Sequence, residues 1–301
     1  MYLLFAILGY VALAIVNILD KYLVSASKKT SLLVFVFYAG IFCLPLFLLV
    51  PWVGLPHSTT DLLLGSFSGF MFLAALLVMY FGFQKTEVSH SGPLVGVSTT
   101  LFVVLLSRLF LGEILTSLEL IGIFIIVIGC VLFSFQKTKK MSGFSRALCW
   151  AILSGLLFAC SHVSAKYMYI EYDFWTGTVW TKGIMGIFGV ILLIVPSVRR
   201  ELFKKQVKNS SFSRSTILPV LTNRIFSIVG TGLTQYAIAL GSVSIVNALQ
   251  GVQYAILIVL ILFLTRYHPK VFKEFYTKSE LILEVVAVII VAGGLALLVV
   301  K

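Results

Sequence analysis

The sequence predicts an all-α polytopic membrane protein, with ten transmembrane helices arranged as two inverted five-helix repeats. Three observations carry this reading. The chain of 301 residues is 60% hydrophobic and 11% charged, with a mean hydropathy of +1.08, whereas soluble domains carry roughly 25% charged residues. Its apolar residues fall into ten runs, each near the ~20 residues a helix needs to cross a bilayer core. Short motifs also recur in the same order in the two halves.

The runs span 2–24, 32–53, 62–83, 90–110, 115–135, 146–168, 174–195, 216–240, 243–264 and 280–300. In hydrocarbon a helix satisfies its own backbone hydrogen bonds, which is why such runs are read as helices. The turns "LGEILTS" at 111–117 and "GSVS" at 241–244 are short and force antiparallel neighbours. The longest gap, 196–215, holds six basic residues against Glu201 and reads as a solvated loop. The first run lacks a basic leader, is too long for a cleavable signal and is followed by further spans.

A shift of 145 residues lays Asn17–Tyr22 on His162–Tyr167. A shift of 155 lays "VSHSGPL" (88–94) on "VSIVNAL" (243–249), and one of 165 lays "ELIGIFIIVIG" (119–129) on "EVVAVIIVAGG" (284–294). The growing shift reads as loop insertions. Two repeats follow, 1–135 and 146–300. Five spans is an odd number, so the second repeat enters the membrane upside down, as in transporters that alternate access around a midplane site.

The stretch "LFLGEILTSLELIGIFIIVIGCVLF" (109–133), following "VSHSGPLVGVSTTL" (88–101), resembles the EamA-type branch of the drug/metabolite transporter superfamily. That resemblance implies ten spans in two five-helix repeats and a transport function, and it leaves the substrate open. Family repeats often carry a Gly-Glu pair at the turn where Gly112 and Glu113 stand. The second repeat departs from this, with Tyr267, His268 and Pro269 at the matching place, so Glu113 is not carried over as a coupling site.

The net charge of +12 does not indicate nucleic acid, because the basic residues sit in short gaps between apolar runs. Sixteen of the 23 Lys and Arg residues, counting Arg146 at the edge of run six, belong to the gaps after runs one, five, seven and nine. The positive-inside rule then places those gaps in the cytoplasm and both termini outside the cell membrane, although members of the resembled family are more usually drawn with both termini inside.

Ionisable residues inside spans are costly and usually face a cavity or a partner. Lys182 and Arg224 are the informative ones: each either snorkels toward the interface or lines a central cavity. Asn223 accompanies Arg224. In the ninth run Asn247, Gln250 and Tyr254 share one helical face, with Gln253 beside them; that face serves as interhelical glue or as substrate contact. Asn17 and His162 occupy equivalent repeat positions and are further cavity candidates. Lys21 and Lys166 read as interfacial anchors, and Glu119 and Glu284 as residues of helix N-terminal turns. The small faces of Gly122 and Gly129, matched by Ala287 and Gly294, suggest close helix packing or a homodimer contact. Pro93 is the expected kink.

The function this supports is secondary transport, by alternating access, of a small polar metabolite, anionic or zwitterionic, such as an amino acid or organic acid. Two unpaired cations in low dielectric call for an anion, and guanidinium suits carboxylate or phosphate. The alternatives are an integral membrane enzyme or a channel. The sequence holds no H-E-x-x-H, G-x-S-x-G or P-loop motif, and its four cysteines and four histidines lack metal-ligand spacing, so no catalytic residue, metal or cofactor is expected. The expected partners are a small-molecule substrate, the bilayer and, through the small faces, a second copy.

Overall fold

The computed structural model describes residues 1–26, 32–83, 88–134, 144–203, 214–267 and 278–299. The basic gaps after runs five and nine lie outside the described residues, as do Lys28 and Lys29 and the side chains of Asp20 and Lys21. Among the described residues every regular element is helical.

The first run is α1 (Tyr2–Ala26). The second is broken: α2 (Leu32–Ile41) stops, a 3-10 stretch covers Leu44–Leu49, and α3 (Val50–Val53) completes it. Then come α4 (Thr59–Phe83), α5 (Val88–Leu111), α6 (Ser117–Ser134) and α7 (Phe144–Glu171). The seventh run is also broken. It comprises α8 (Phe174–Thr178), a single π-helical turn (Val179–Gly183), α9 (Ile184–Ile191) and a 3-10 end (Leu192–Ile194). A short α10 (Pro196–Phe203) precedes α11 (Arg214–Leu240). The ninth run divides at Leu249 into α12 (Val243–Ala248) and α13 (Gln250–Tyr267), and α14 (Lys278–Val299) closes the chain.

Eight of these segments are long and apolar enough to cross a membrane, and the chain is a multi-pass membrane protein. The apolar part of α6, Ser117–Phe133, is shorter. The 27-residue α11 stands outside the eight and carries Asn223, Arg224 and Gln235 in its length. Of the window Val243–Leu260, 78% is buried, against 17% of Val36–Val53, so the ninth run forms the interior.

The helix ends follow from local chemistry. Thr116 and Glu119 form a reciprocal capping box at the start of α6: the Thr116 amide donates to Glu119 Oε2 at 2.7 Å, and the Glu119 amide to Thr116 Oγ1 at 3.3 Å. Asp173 caps α8 and Ser242 caps α12. Gly112, at φ +64°, ends α5 in the left-handed conformation that glycine adopts without strain. Lys166 does not reach for lipid headgroups. Its Nζ donates to the carbonyls of Ile238, Ala239 and Gly241 at 2.9, 3.1 and 2.8 Å, closing the C-terminus of α11.

Three of the main helix pairs are antiparallel and meet through small residues. Between α1 and α11, Asn223 Nδ2 donates to the Val16 carbonyl at 3.3 Å, and Gly9 faces Gly230. Between α4 and α7, Ser68 Oγ donates to the Ser161 carbonyl at 2.8 Å, and Ser154 Oγ to that of Ala75 at 3.0 Å. In the pair α6–α14, Gly122 faces Gly294 while Gly129 faces Ala287 and Val291. The two broken runs cross where Gly40 meets Gly189, so closely that a Cβ on Gly40 would lie 2.7 Å from the Gly189 Cα. Lipid gives little hydrophobic drive between helices, so such close backbone approach supplies the packing energy.

The small faces of α6 and α14 pack on each other within the chain, the close-packing arm of the sequence reading. α5 is continuous helix through Pro93. Irregular backbone falls at residues 42–43, 179–183 and 249.

Candidate functional site

The π-helical turn inserts one extra residue into the seventh run and re-aims its side chains; such turns recur at functional sites. Lys182 sits in it. The residue is 4% exposed, and among the described residues its Nζ has no hydrogen-bond partner. The ammonium lies 3.8 Å above the centre of the Phe72 ring, on α4, so a π face takes the place of an oxygen partner.

Phe72 belongs to an aromatic group. Its ring centre is 5.3 Å from that of Phe158 and 6.2 Å from that of His162, both on α7. The His162 Nδ1 lies 2.6 Å from Asn247 Oδ1, on α12. Asn247 Nδ2 donates to the Val243 carbonyl at 2.8 Å, which turns the amide oxygen toward the imidazole. The Asn247 carbonyl accepts from Thr100 Oγ1 of α5 at 3.2 Å. The Cys43 thiol, at the break of the second run, lies within electrostatic reach of Lys182. Six runs therefore contribute to one cluster.

Of the residues singled out in the sequence, the structure brings Lys182, His162 and Asn247 together. Arg224 is half-buried and stacks its guanidinium 5.4 Å over Phe42. The two cations thus approach one turn of the second run, Phe42 for Arg224 and Cys43 for Lys182. Asn223 is buried in the α1–α11 contact through Val16 and does not join Arg224. Gln250 Nε2 donates to the Tyr254 hydroxyl at 3.2 Å, and both lie over Gly96 of α5. Gln253 is buried, and Asn17 is half-buried on α1. The polar face of the ninth run is therefore divided at Leu249. Asn247 turns to His162, whereas Gln250 and Tyr254 pack on the small residues of α5.

Sequence reasoning missed Phe72, Phe158 and Thr100, because aromatic and hydroxyl residues are ordinary in apolar runs. It also missed a second polar cluster at the end where α4 begins and α7 ends. Asp61, buried in the first turn of α4, accepts from Tyr172 at 2.7 Å and from Tyr167 at 3.2 Å. At the same end Glu113 accepts from Ser244 Oγ at 2.5 Å, and Ser244 shares a 2.8 Å bond with Ser107. These bonds and the Lys166 clamp lie at that same end.

Comparison with known proteins bears on the architecture. Residues 1–135 match the EamA-like transporter family. That family lies within the drug/metabolite transporter superfamily. No curated protein matches the chain. A solved structure titled "Crystal structure of protein" is similar over 98% of this chain and 96% of its own, with a TM-score of 0.65 and 15% identity. Likeness at that identity speaks to the fold alone. The EamA-like part supplies Phe72, Thr100 and Cys43, and the residues after it supply Lys182, His162 and Asn247.

Proposed function

We propose that this protein is a secondary transporter that moves a small anionic or zwitterionic metabolite by alternating access. In this reading ten helices cross the cell membrane as two inverted repeats, with both termini outside. The observation that carries it is Lys182. A buried ammonium without an oxygen partner is costly in low dielectric, and an anion entering beside it removes that cost.

The inverted repeat is supported by contacts that map onto one another. A shift of 145 carries Val16 to Ser161, and one of 155 carries Ser68 to Asn223. The hydrogen bond Asn223–Val16 thereby becomes Ser68–Ser161. The same shifts turn Gly9–Gly230 into Ser154–Ala75. A shift of 165 exchanges Gly122–Gly294 with Ala287–Gly129, and Gly129–Val291 with Gly294–Ile126. The partners α6 and α14 run antiparallel. A two-fold axis relating antiparallel helices is perpendicular to them, which puts it in the membrane plane. Discontinuous spans at corresponding places in the two halves, here the second and seventh, are a feature of midplane binding sites.

An uptake and efflux screen in proteoliposomes, with and without a pH gradient, tests the transport reading. Movement of a small carboxylate that is lost in Lys182→Met supports it. Passive, unsaturable conductance would favour a channel instead. Orientation is tested by a reporter active only in the cytoplasm, fused after Lys301; strong activity overturns the charge argument.

A further inference from the structure

We propose that Asp61, Tyr167 and Tyr172 form a gate, which closes the Lys182 cluster at the end where α4 begins and α7 ends. The proposal rests on the transport reading above and assigns one step of its cycle to named side chains.

The argument begins with a helix cap left half made. Ser58 caps α4, its hydroxyl accepting from the Asp61 amide at 3.1 Å. Asp61 stands where the acid of a capping box turns back toward the cap, as Glu119 does toward Thr116 at the start of α6. Its carboxylate turns to the other half of the chain instead. Oδ2 accepts from the Tyr172 hydroxyl at 2.7 Å, and Oδ1 from that of Tyr167 at 3.2 Å. Asp61 is buried, and hydrogen bonds to a carboxylate are roughly twice as strong as neutral ones. The Tyr172 hydroxyl in turn accepts from the His57 amide at 2.8 Å, so the bonds form one chain. Two more bonds join the same connections. Thr176 Oγ1 donates to the Val53 carbonyl at 3.2 Å, and Trp180 Nε1 to that of Gly54 at 3.0 Å. The link after the second run is thus laced to the link after the sixth.

Deeper in the same helix pair the contacts are of another kind. There α4 and α7 meet through Ser68, Ser161, Ser154 and Ala75, with uncharged bonds between small residues, a surface on which backbones can slide. The charged tie is confined to one end. Lys182 lies nine residues past Asp173, the cap of α8, or roughly 13 Å of helix, so the tie stands over the site and not in it. The repeat carries only half of this tie elsewhere. The shift of 145 takes Tyr167 back to Tyr22, whereas the shift of 155 takes Asp61 to Thr216, which has no charge. The charged tie therefore biases the cycle toward closure at this end.

The test uses the native thiol of Cys43, which lies near Lys182 at the break of the second run; the other three cysteines are replaced by alanine. A membrane-impermeant maleimide is added to sealed vesicles of either orientation. The labelling rate of Cys43 is compared between this parent and the double variant Tyr167→Phe with Tyr172→Phe, which removes two hydroxyls and keeps both rings. Labelling from the gate face, the outer one by the charge argument, should rise about tenfold or more, the size of one charge-assisted hydrogen bond. Labelling from the opposite face should fall or stay level. Asp61→Asn should act in the same direction, and it decides alone if the double variant does not fold. A rise confined to the cytoplasmic face supports the gate and reverses the orientation. Unchanged labelling, an equal rise from both faces, or a parent already labelled rapidly from the gate face overturns the proposal. These readings need no substrate. An uptake screen without saturable movement overturns the transport reading instead, and leaves the gate standing as that of a channel.

Discussion

Replacing Lys182 by Met separates function from stability, because the two should move in opposite directions. Methionine keeps the length and apolar stem of the side chain and removes the charge. In the structure Lys182 is 4% exposed, its ammonium has no hydrogen-bond partner among the described residues, and the Phe72 face lies at 3.8 Å. The effective penalty for burying such an ion is several kcal/mol after relaxation. A desolvated cation–π contact returns up to about 2 kcal/mol. The difference leaves a net cost of roughly 1–3 kcal/mol, which Met relieves. At about 2 °C per kcal/mol for a chain of this size, the melting temperature of the ligand-free protein should rise by ~2–6 °C.

Transport should fall at the same time. A hydrogen bond to a charged partner contributes about 1.5–3 kcal/mol, and every 1.4 kcal/mol is tenfold. Substrate affinity should therefore drop by ~10- to 100-fold. The assay pairs melting of the purified protein, at one fixed scan rate, with uptake into proteoliposomes. A structural lysine behaves the other way, since truncating one partner of a buried pair costs about 3–5 kcal/mol. A variant that melts lower and still transports would refute the reasoning.

Two further outcomes follow from the helix contacts. Lys166→Met leaves three carbonyls at the end of α11 without their shared donor and should destabilise the protein by about 1–3 kcal/mol, while Lys166→Arg should retain most of the stability; thermal melts of both variants check this. Gly40→Ala should cost roughly 1–3 kcal/mol by overpacking against the Gly189 backbone, whereas Gly293→Ala, with open space around its Cβ, should be neutral or stabilising by up to ~1 kcal/mol; equal melting temperatures would contradict the close crossing.

The parts of the fold that were legible in the sequence are those set by solvent and by local pattern. The seventh run, 174–195, is helical over Phe174–Ile194, because hydrocarbon admits no other conformation for exposed backbone. The Thr116–Glu119 capping box is legible because its chemistry spans only three residues. The meeting of His162 with Asn247 is not local. It joins residues 85 apart in sequence, and nothing in either run announces the other. The π-helical turn under Lys182 carries no proline or glycine pair to mark it in advance. Pro93 interrupts nothing. A proline inside a membrane helix can be absorbed by its neighbours, and here the helix continues. Lys166 was ambiguous for a physical reason. A long cationic side chain near a helix end can reach headgroups or orphan carbonyls, and only the position of α11 decides between them.

The proposed two-fold and the site obey different rules, and the difference says how a symmetric scaffold can hold an asymmetric ligand. The symmetric contacts lie between helices: α1 with α11, α4 with α7, α6 with α14. They are built from Gly, Ala, Ser and one Asn, residues that let backbones approach and slide without large side chains interlocking. The site does not repeat. The shift of 145 takes His162 back to Asn17, and the shift of 155 takes Asn247 back to Gly92. If Gly40 and Gly189 are equivalent, Lys182 falls back on Leu33. The three polar groups thus come from the second half alone, while the first half answers with Phe72 and Thr100. Had both halves carried the lysine, two cations would face each other across the axis and repel in low dielectric. In the proposed alternating-access cycle, rocking the halves about their small-residue contacts would expose Lys182 and the Phe72 face to either side in turn.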